Sequence, residues 1–200
     1  ASTKNTTMRG RIQTAMAAMG VDHIDTAYNS HPHDDHIDGF QFVHEYAPIG
    51  QLLIAFPEDY DPRMKAAVKF ANENSIPIGH VADGDVLTMG ENGEVTMTVI
   101  QRWGNKSWDA NDQSAMLLIR FGERTILFTG DVENRAQRDY GATPPPCGLD
   151  ADILKQPHHG QQPLQDAFLQ AITPELVFMN GAADVMNGAK KYLDKHDVPY

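Results

Sequence analysis

Residues 30–38 read SHPHDDHID, which is three histidines and three aspartates in nine positions. His31, His33, Asp35 and His36 are spaced so that, in a loop leaving a strand, His31 and His33 point one way while Asp35 and His36 turn inward as the next helix begins. Two adjacent metal positions can be served by that pattern, because neutral imidazole and carboxylate are zinc ligands and a catalytic zinc takes three or four of them. The plainer reading is a solvated polar loop in which Asp35 or Asp38 caps a helix.

Around this loop the chain alternates helix-like and strand-like pieces with Gly, Pro and Asn between them, an α/β pattern without repeats or linkers. Thr6 or Thr7 can cap a first helix whose Met8, Ile12, Met16 and Met19 fall at helical spacing and which Gly20 stops. A strand is expected over 21–28, a short helix through Val43, a buried strand over 51–56, and a helix over 61–74 with Pro62 in its first turn. Residues 84–131 change character: two hairpins are expected, one through 88–100 and one through 114–131. The tail returns to alternation, with a helix from Val132, strands at 151–156 and 175–180, and helices at 163–172 and 185–195.

Composition bounds the rest. Two hundred residues with 41% hydrophobic and 22% charged side chains suit one soluble domain spanning 1–200. No apolar run approaches the roughly 18 residues of a membrane span, and no signal-peptide pattern opens the chain. The net charge of −11 argues against a basic nucleic-acid face, although two bound dications would make the site locally positive. A single cysteine, Cys147, excludes an intramolecular disulfide and a thiolate zinc cage. Any metal must be held by His, Asp and Glu.

Two later segments supply such groups. TILFTGD puts Asp131 after an apolar strand and a glycine, with a cap for the next helix as the alternative use. DILKQPHHG delivers His158 and His159 beyond a strand's C-terminal end, where α/β sheets bind ligands; alone, the pair would read as a surface turn. Strand alternation allows only one of the two to face a metal.

These segments resemble the metallo-β-lactamase fold superfamily, whose H-x-H-x-D-H signature stands here as His31, His33, Asp35 and His36. Residues 111–131, NDQSAMLLIRFGERTILFTGD, and 151–160, ADILKQPHHG, resemble most the branch that holds the ComEC-type competence proteins and the phosphorylcholine esterases. The resemblance implies an αββα sandwich. It also implies two zinc ions, with manganese as the other candidate: His31 and His33 on one, Asp35 and His36 on the other, Asp131 bridging, and His159 completing the second site. His158 then becomes a substrate contact or proton donor, and Asp35 and His158 are the catalytic candidates. His33 stands where flavodiiron relatives carry glutamate, which favours zinc over iron. The strands that usually precede the first helix and follow residue 200 are not seen, so unpaired edges and a homo-oligomer are expected. Gln161 replaces the serine usual after HHG.

The reaction so implied is hydrolysis by a hydroxide held between two metals. A phosphodiester is the expected substrate, either nucleic acid or a small molecule, and the acidic charge favours the small one. Lactone, thioester or β-lactam hydrolysis, or a non-catalytic metal-binding module, are the alternatives. Asp34, Asp38 or backbone carbonyls are candidates to orient the imidazoles. Asn111 and Ser114 are candidate substrate donors, though turn hydrogen bonding is the simpler use, and Asp112 is expected to be exposed. Trp103 and Trp108 can stack on a substrate or simply pack. His23, in the first strand, His44, His80 and His196 have no ligand-like neighbour.

Overall fold

The apolar run LLI at Leu52–Ile54 is buried on both faces and forms the middle strand of a parallel three-stranded sheet. A computed structural model describes residues 6–200, which fall into two compact units divided after Val81.

The first unit begins with α1 (Thr6–Ala18), then β1 (Ala27–Asn29), α2 (Asp34–Ile37), α3 (Gly39–Tyr46), β2 (Leu52–Ile54), α4 (Pro62–Glu73) and β3 (Ile78–His80). The side chains of Thr6, Thr7 and Met8, and with them the expected cap, lie outside the described residues. Helix α4 starts where expected: the Asp61 carboxylate accepts from the N–H groups of Arg63 and Met64, and Pro62 occupies the first turn. Strands β1, β2 and β3 pair in parallel in chain order, over a core of Phe42, Leu53, Phe56, Met64 and Ile76.

Three expectations need correction. The strand over 21–28 shrinks to Ala27–Asn29 plus an isolated bridge between Ile24 and Ile49. His23 therefore lies outside the strand, exposed between Asp22 and Asp25, which raise its pKa, first by the hydrogen bond the imidazole donates to Asp22. Met19 sits beyond the end of α1 and is 70% exposed; of Ile12, Met16 and Met19, Met16 alone is buried. Helical spacing marks a stripe, but a helix packed against α3 buries only the part of the stripe that its neighbours cover.

The second unit contains β4 (Val86–Met89), β5 (Val95–Ile100), β6 (Met116–Phe121), β7 (Arg124–Phe128), α5 (Asn134–Ala142), β8 (Ile153–Lys155), α6 (Asp166–Ile172), β9 (Leu176–Phe178) and α7 (Asn187–Lys195). Its six strands lie side by side in chain order, β4 to β7 antiparallel as the two expected hairpins require and β7 to β9 parallel across helical crossovers. One face of the sheet, with Ile100, Met116, Leu118, Leu127, Leu154 and Val177, packs with Tyr140, Phe168 and Leu193 into a single core. Trp108 packs against that core, while Trp103 is 45% exposed. Among the described residues no helix is long and apolar enough to cross a membrane.

Candidate functional site

In the first unit the donors sit in the turn between β1 and α2. Asn29, fully buried at the end of β1, donates from Nδ2 to the His31 carbonyl at 2.8 Å and so folds the chain back on itself. Pro32 gives the turn no N–H, and His33 stays extended as the residue before α2, which places Asp34 and Asp35 in the helix's first turn. His31 is fully buried. Its Nε2 lies 3.2 Å from His33 Nδ1, and the His36 ring packs on it with centroids 4.1 Å apart. Asp35 and His36 approach to 3.7 Å.

Ser30, which the sequence did not single out, faces two of the imidazoles. Ser30 Oγ lies 3.2 Å from His31 Nδ1 and 3.3 Å from His36 Nδ1. One hydroxyl oxygen has two lone pairs, so it can accept from both Nδ1–H groups and turn both Nε2 atoms to ligand duty. Asp34 lies 3.9 Å from Arg63, the same arginine that holds the α4 cap Asp61.

In the second unit β7 and β8 end side by side and their loops carry the donors. Gly130 takes a left-handed conformation (φ 55°), and Asp131 follows it at 2% exposure with its backbone N–H donating to Ser114 Oγ at 3.1 Å. Ser114 therefore supports Asp131. Asp131 does not cap α5; Glu133 precedes that helix.

After β8, Pro157 ends the strand, and His158 (φ 46°), His159 (φ 54°) and Gly160 (φ 77°) are left-handed in succession. The alternation argument thus does not hold here, because the two histidines lie in a tight turn. Two non-glycine residues in this region cost about 1–3 kcal/mol each, a cost met elsewhere in the fold and common where side chains must be aimed. The turn directs them differently: His159 Nε2 lies 3.3 Å from Asp131 Oδ2, and His158 Nδ1 lies 3.1 Å from Glu133 Oε1, off the line of a hydrogen bond. Gly181 leaves room for this turn, since a Cβ there would collide with the His159 carbonyl.

Glu133 is itself held. Asn111 Nδ2 donates to its Oε1 at 3.0 Å, and its backbone N–H donates to Asp112 Oδ1 at 3.0 Å. Asp112, expected at the surface, is 1% exposed because it also accepts from the Ala136 N–H and closes the start of α5; burial pushes its carboxyl above the usual range. Lys155 is the residue that sequence reasoning missed. It ends β8 at 8% exposure, and its Nζ donates to the Gly130 carbonyl at 2.7 Å and lies 3.4 Å from Asp131 Oδ1. The available signal was a lysine closing an otherwise apolar strand just before the histidines.

These spacings fit a metal. Two donors about 2.0–2.1 Å from a tetrahedral zinc stand roughly 3.3 Å apart. The pairs His31 Nε2 with His33 Nδ1, and Asp131 Oδ2 with His159 Nε2, have that separation within each unit. The first pair also spans a hydrogen bond when one ring carries the proton.

No family model matches the chain. ComE operon protein 3 of Bacillus subtilis (strain 168) is 23% identical over 166 residues, 82% of this chain and 21% of that protein. The crystal structure of CmlA, a diiron β-hydroxylase from Streptomyces venezuelae, superposes with a TM-score of 0.59 at 12% identity over 88% of this chain and 42% of that one. A variant of CmlA gives 0.57 at 18% identity, over 79% and 36% of the two chains. The chain thus spans about a fifth of the first relative and less than half of the second. The chain thus has the fold of CmlA, a metallo-β-lactamase-like fold, and its sequence is similar to a part of ComE operon protein 3.

Proposed function

We propose that this chain is a metal-dependent phosphodiesterase whose dinuclear centre is held by His31, His33, Asp35, His36, Asp131 and His159. The observation that carries the reading is the 3.2–3.3 Å spacing of the His31/His33 and Asp131/His159 donor atoms, the edge length of a zinc coordination shell. Metal ions held there would supply Lewis-acid polarisation of a phosphoryl oxygen and a nucleophile acidified from water.

The chain's own groups then have distinct tasks. Ser30 orients the His31 and His36 rings, and Ser114 holds the backbone of Asp131. His158, with Nδ1 toward Glu133, presents Nε2 as the atom that delivers a proton to the leaving oxygen. Asn111 fixes Glu133 and so the direction of that imidazole. A net charge of −11 disfavours long nucleic acid and supports a small or short phosphodiester.

The test is hydrolysis of bis(p-nitrophenyl) phosphate by metal-stripped protein reloaded with zinc or manganese, beside Asp131→Ala. Turnover that follows metal and is lost in the variant is expected. Metal binding at two ions per chain with no turnover of this ester, but with turnover of a lactone or thioester, would move the reading to those substrates. Binding with no turnover of any of them would leave a metal-stabilised module.

A further inference from the structure

The two oxygens of Asp131 are not equivalent. Oδ2 faces His159 Nε2 at 3.3 Å, whereas Oδ1 faces the Lys155 ammonium at 3.4 Å. Lys155 is fixed in this position: its Nζ donates to the Gly130 carbonyl at 2.7 Å, and its own carbonyl accepts from Thr129 Oγ1 at 2.9 Å. Lys155 is 8% exposed in the sheet, where it is registered between Phe128 on β7 and Phe178 on β9. A buried ammonium there is costly unless a negative partner compensates it, and Asp131 is that partner.

Resting on the reading that Asp131 is shared by two metal ions, we propose that Lys155 makes the two metal positions unequal. The position on the Oδ2 side, with His159, fills first. The position that draws on Oδ1 must share that oxygen with an ammonium and bring a dication close to a fixed positive charge, so it fills only at higher metal concentration. Lys155 is then a positioning residue: it keeps Asp131 aimed before metal arrives and sets the metal concentration at which the dinuclear state forms.

Calorimetric zinc titration of the metal-stripped chain tests this without reference to activity. For the native sequence we expect one tight event and a second at least about tenfold weaker. In Lys155→Met the second event tightens by about tenfold or more toward the first, and Lys155→Arg, which keeps the charge, retains the native gap. If Lys155→Met does not fold, Lys155→Gln, which keeps a donor for the Gly130 carbonyl, is read in its place with the same expectations. Two equal events in the native chain, or a gap unchanged on removing the charge, would overturn the role of Lys155 and leave the metal centre standing. No zinc binding by the native chain would overturn the metal centre itself.

Discussion

His158 and His159 are adjacent in the chain, yet they serve different carboxylates: His158 Nδ1 lies 3.1 Å from Glu133 and His159 Nε2 lies 3.3 Å from Asp131. Their rings are 6.3 Å apart and inclined at 62°, a divergence that two successive left-handed residues produce and a strand would not. The separation of roles leads to the first prediction. His158→Gln should lower phosphodiester turnover by about 10²-fold or more, the usual worth of a positioned proton donor, while zinc affinity stays near the native value. His159→Gln should lose zinc affinity itself. Parallel kinetics and zinc titrations check the pair, and equal losses of affinity would contradict it.

Ser30→Ala removes one hydroxyl that lies against two imidazole Nδ1 atoms. Loss of an orienting partner of this kind typically costs about 10–100-fold in metal affinity. Competition for zinc against a chromogenic chelator should show such a drop, with the unfolding temperature of the metal-free protein little changed.

Gly181→Ala places a methyl group against the His159 carbonyl, a backbone atom that cannot swing aside. The turn must shift, and the His159 imidazole shifts with it. We expect weaker zinc binding by about tenfold, since small displacements of a ligand shell are costly, together with a lower unfolding temperature. A zinc titration equal to the native one would show that the loop absorbs the methyl.

Asp112→Ala strips the acceptor from the Glu133 and Ala136 N–H groups at the start of α5. Two buried donors left unsatisfied should cost about 2–4 kcal/mol in chemical denaturation, whereas Asp112→Asn, which retains an acceptor oxygen, should cost far less. Glu133 should also lose its fixed position, so that Asp112→Ala lowers turnover as well as stability.

Asp152 gives the pH dependence. Its carboxylate accepts from the Thr125 backbone N–H at 2.6 Å, the leading cause that holds its pKa below the usual value, with further help from the Thr125 hydroxyl and Arg124. A depressed folded-state value means that the group stabilises the fold above the ordinary carboxylate range near pH ~4, and that this contribution is lost as pH falls through the lower folded value. Asp152→Asn should therefore lower the unfolding temperature at pH 7, and the gap to the native chain should close on acidification. Melting curves from pH 7 down to about pH 3 check the sign.

Local pattern carried much of this molecule. The Asp61–Pro62 start of α4, the hairpins of residues 86–128 and the buried strands LLI and ILK follow from caps, turn residues and apolar runs that act over a few positions. The sequence also nominated six candidate donors, because His and Asp crowd at the ends of apolar strands there. Tertiary structure alone decided the supports of those donors. Ser30 is an ordinary loop serine until the chain folds two imidazoles onto it, and Asp112 reads as a surface acid until α5 starts on top of it. Lys155 stands in a strand that propensity reads only as apolar; its meaning comes from the neighbouring strand, whose end brings Asp131 within 3.4 Å of its ammonium. Periodicity reports which face of an element is apolar, whereas the partner of a polar atom is set by elements distant in the chain that pack beside it. For that reason the sequence could nominate candidate donors, whereas the groups that aim and charge-balance them emerge only from the tertiary structure.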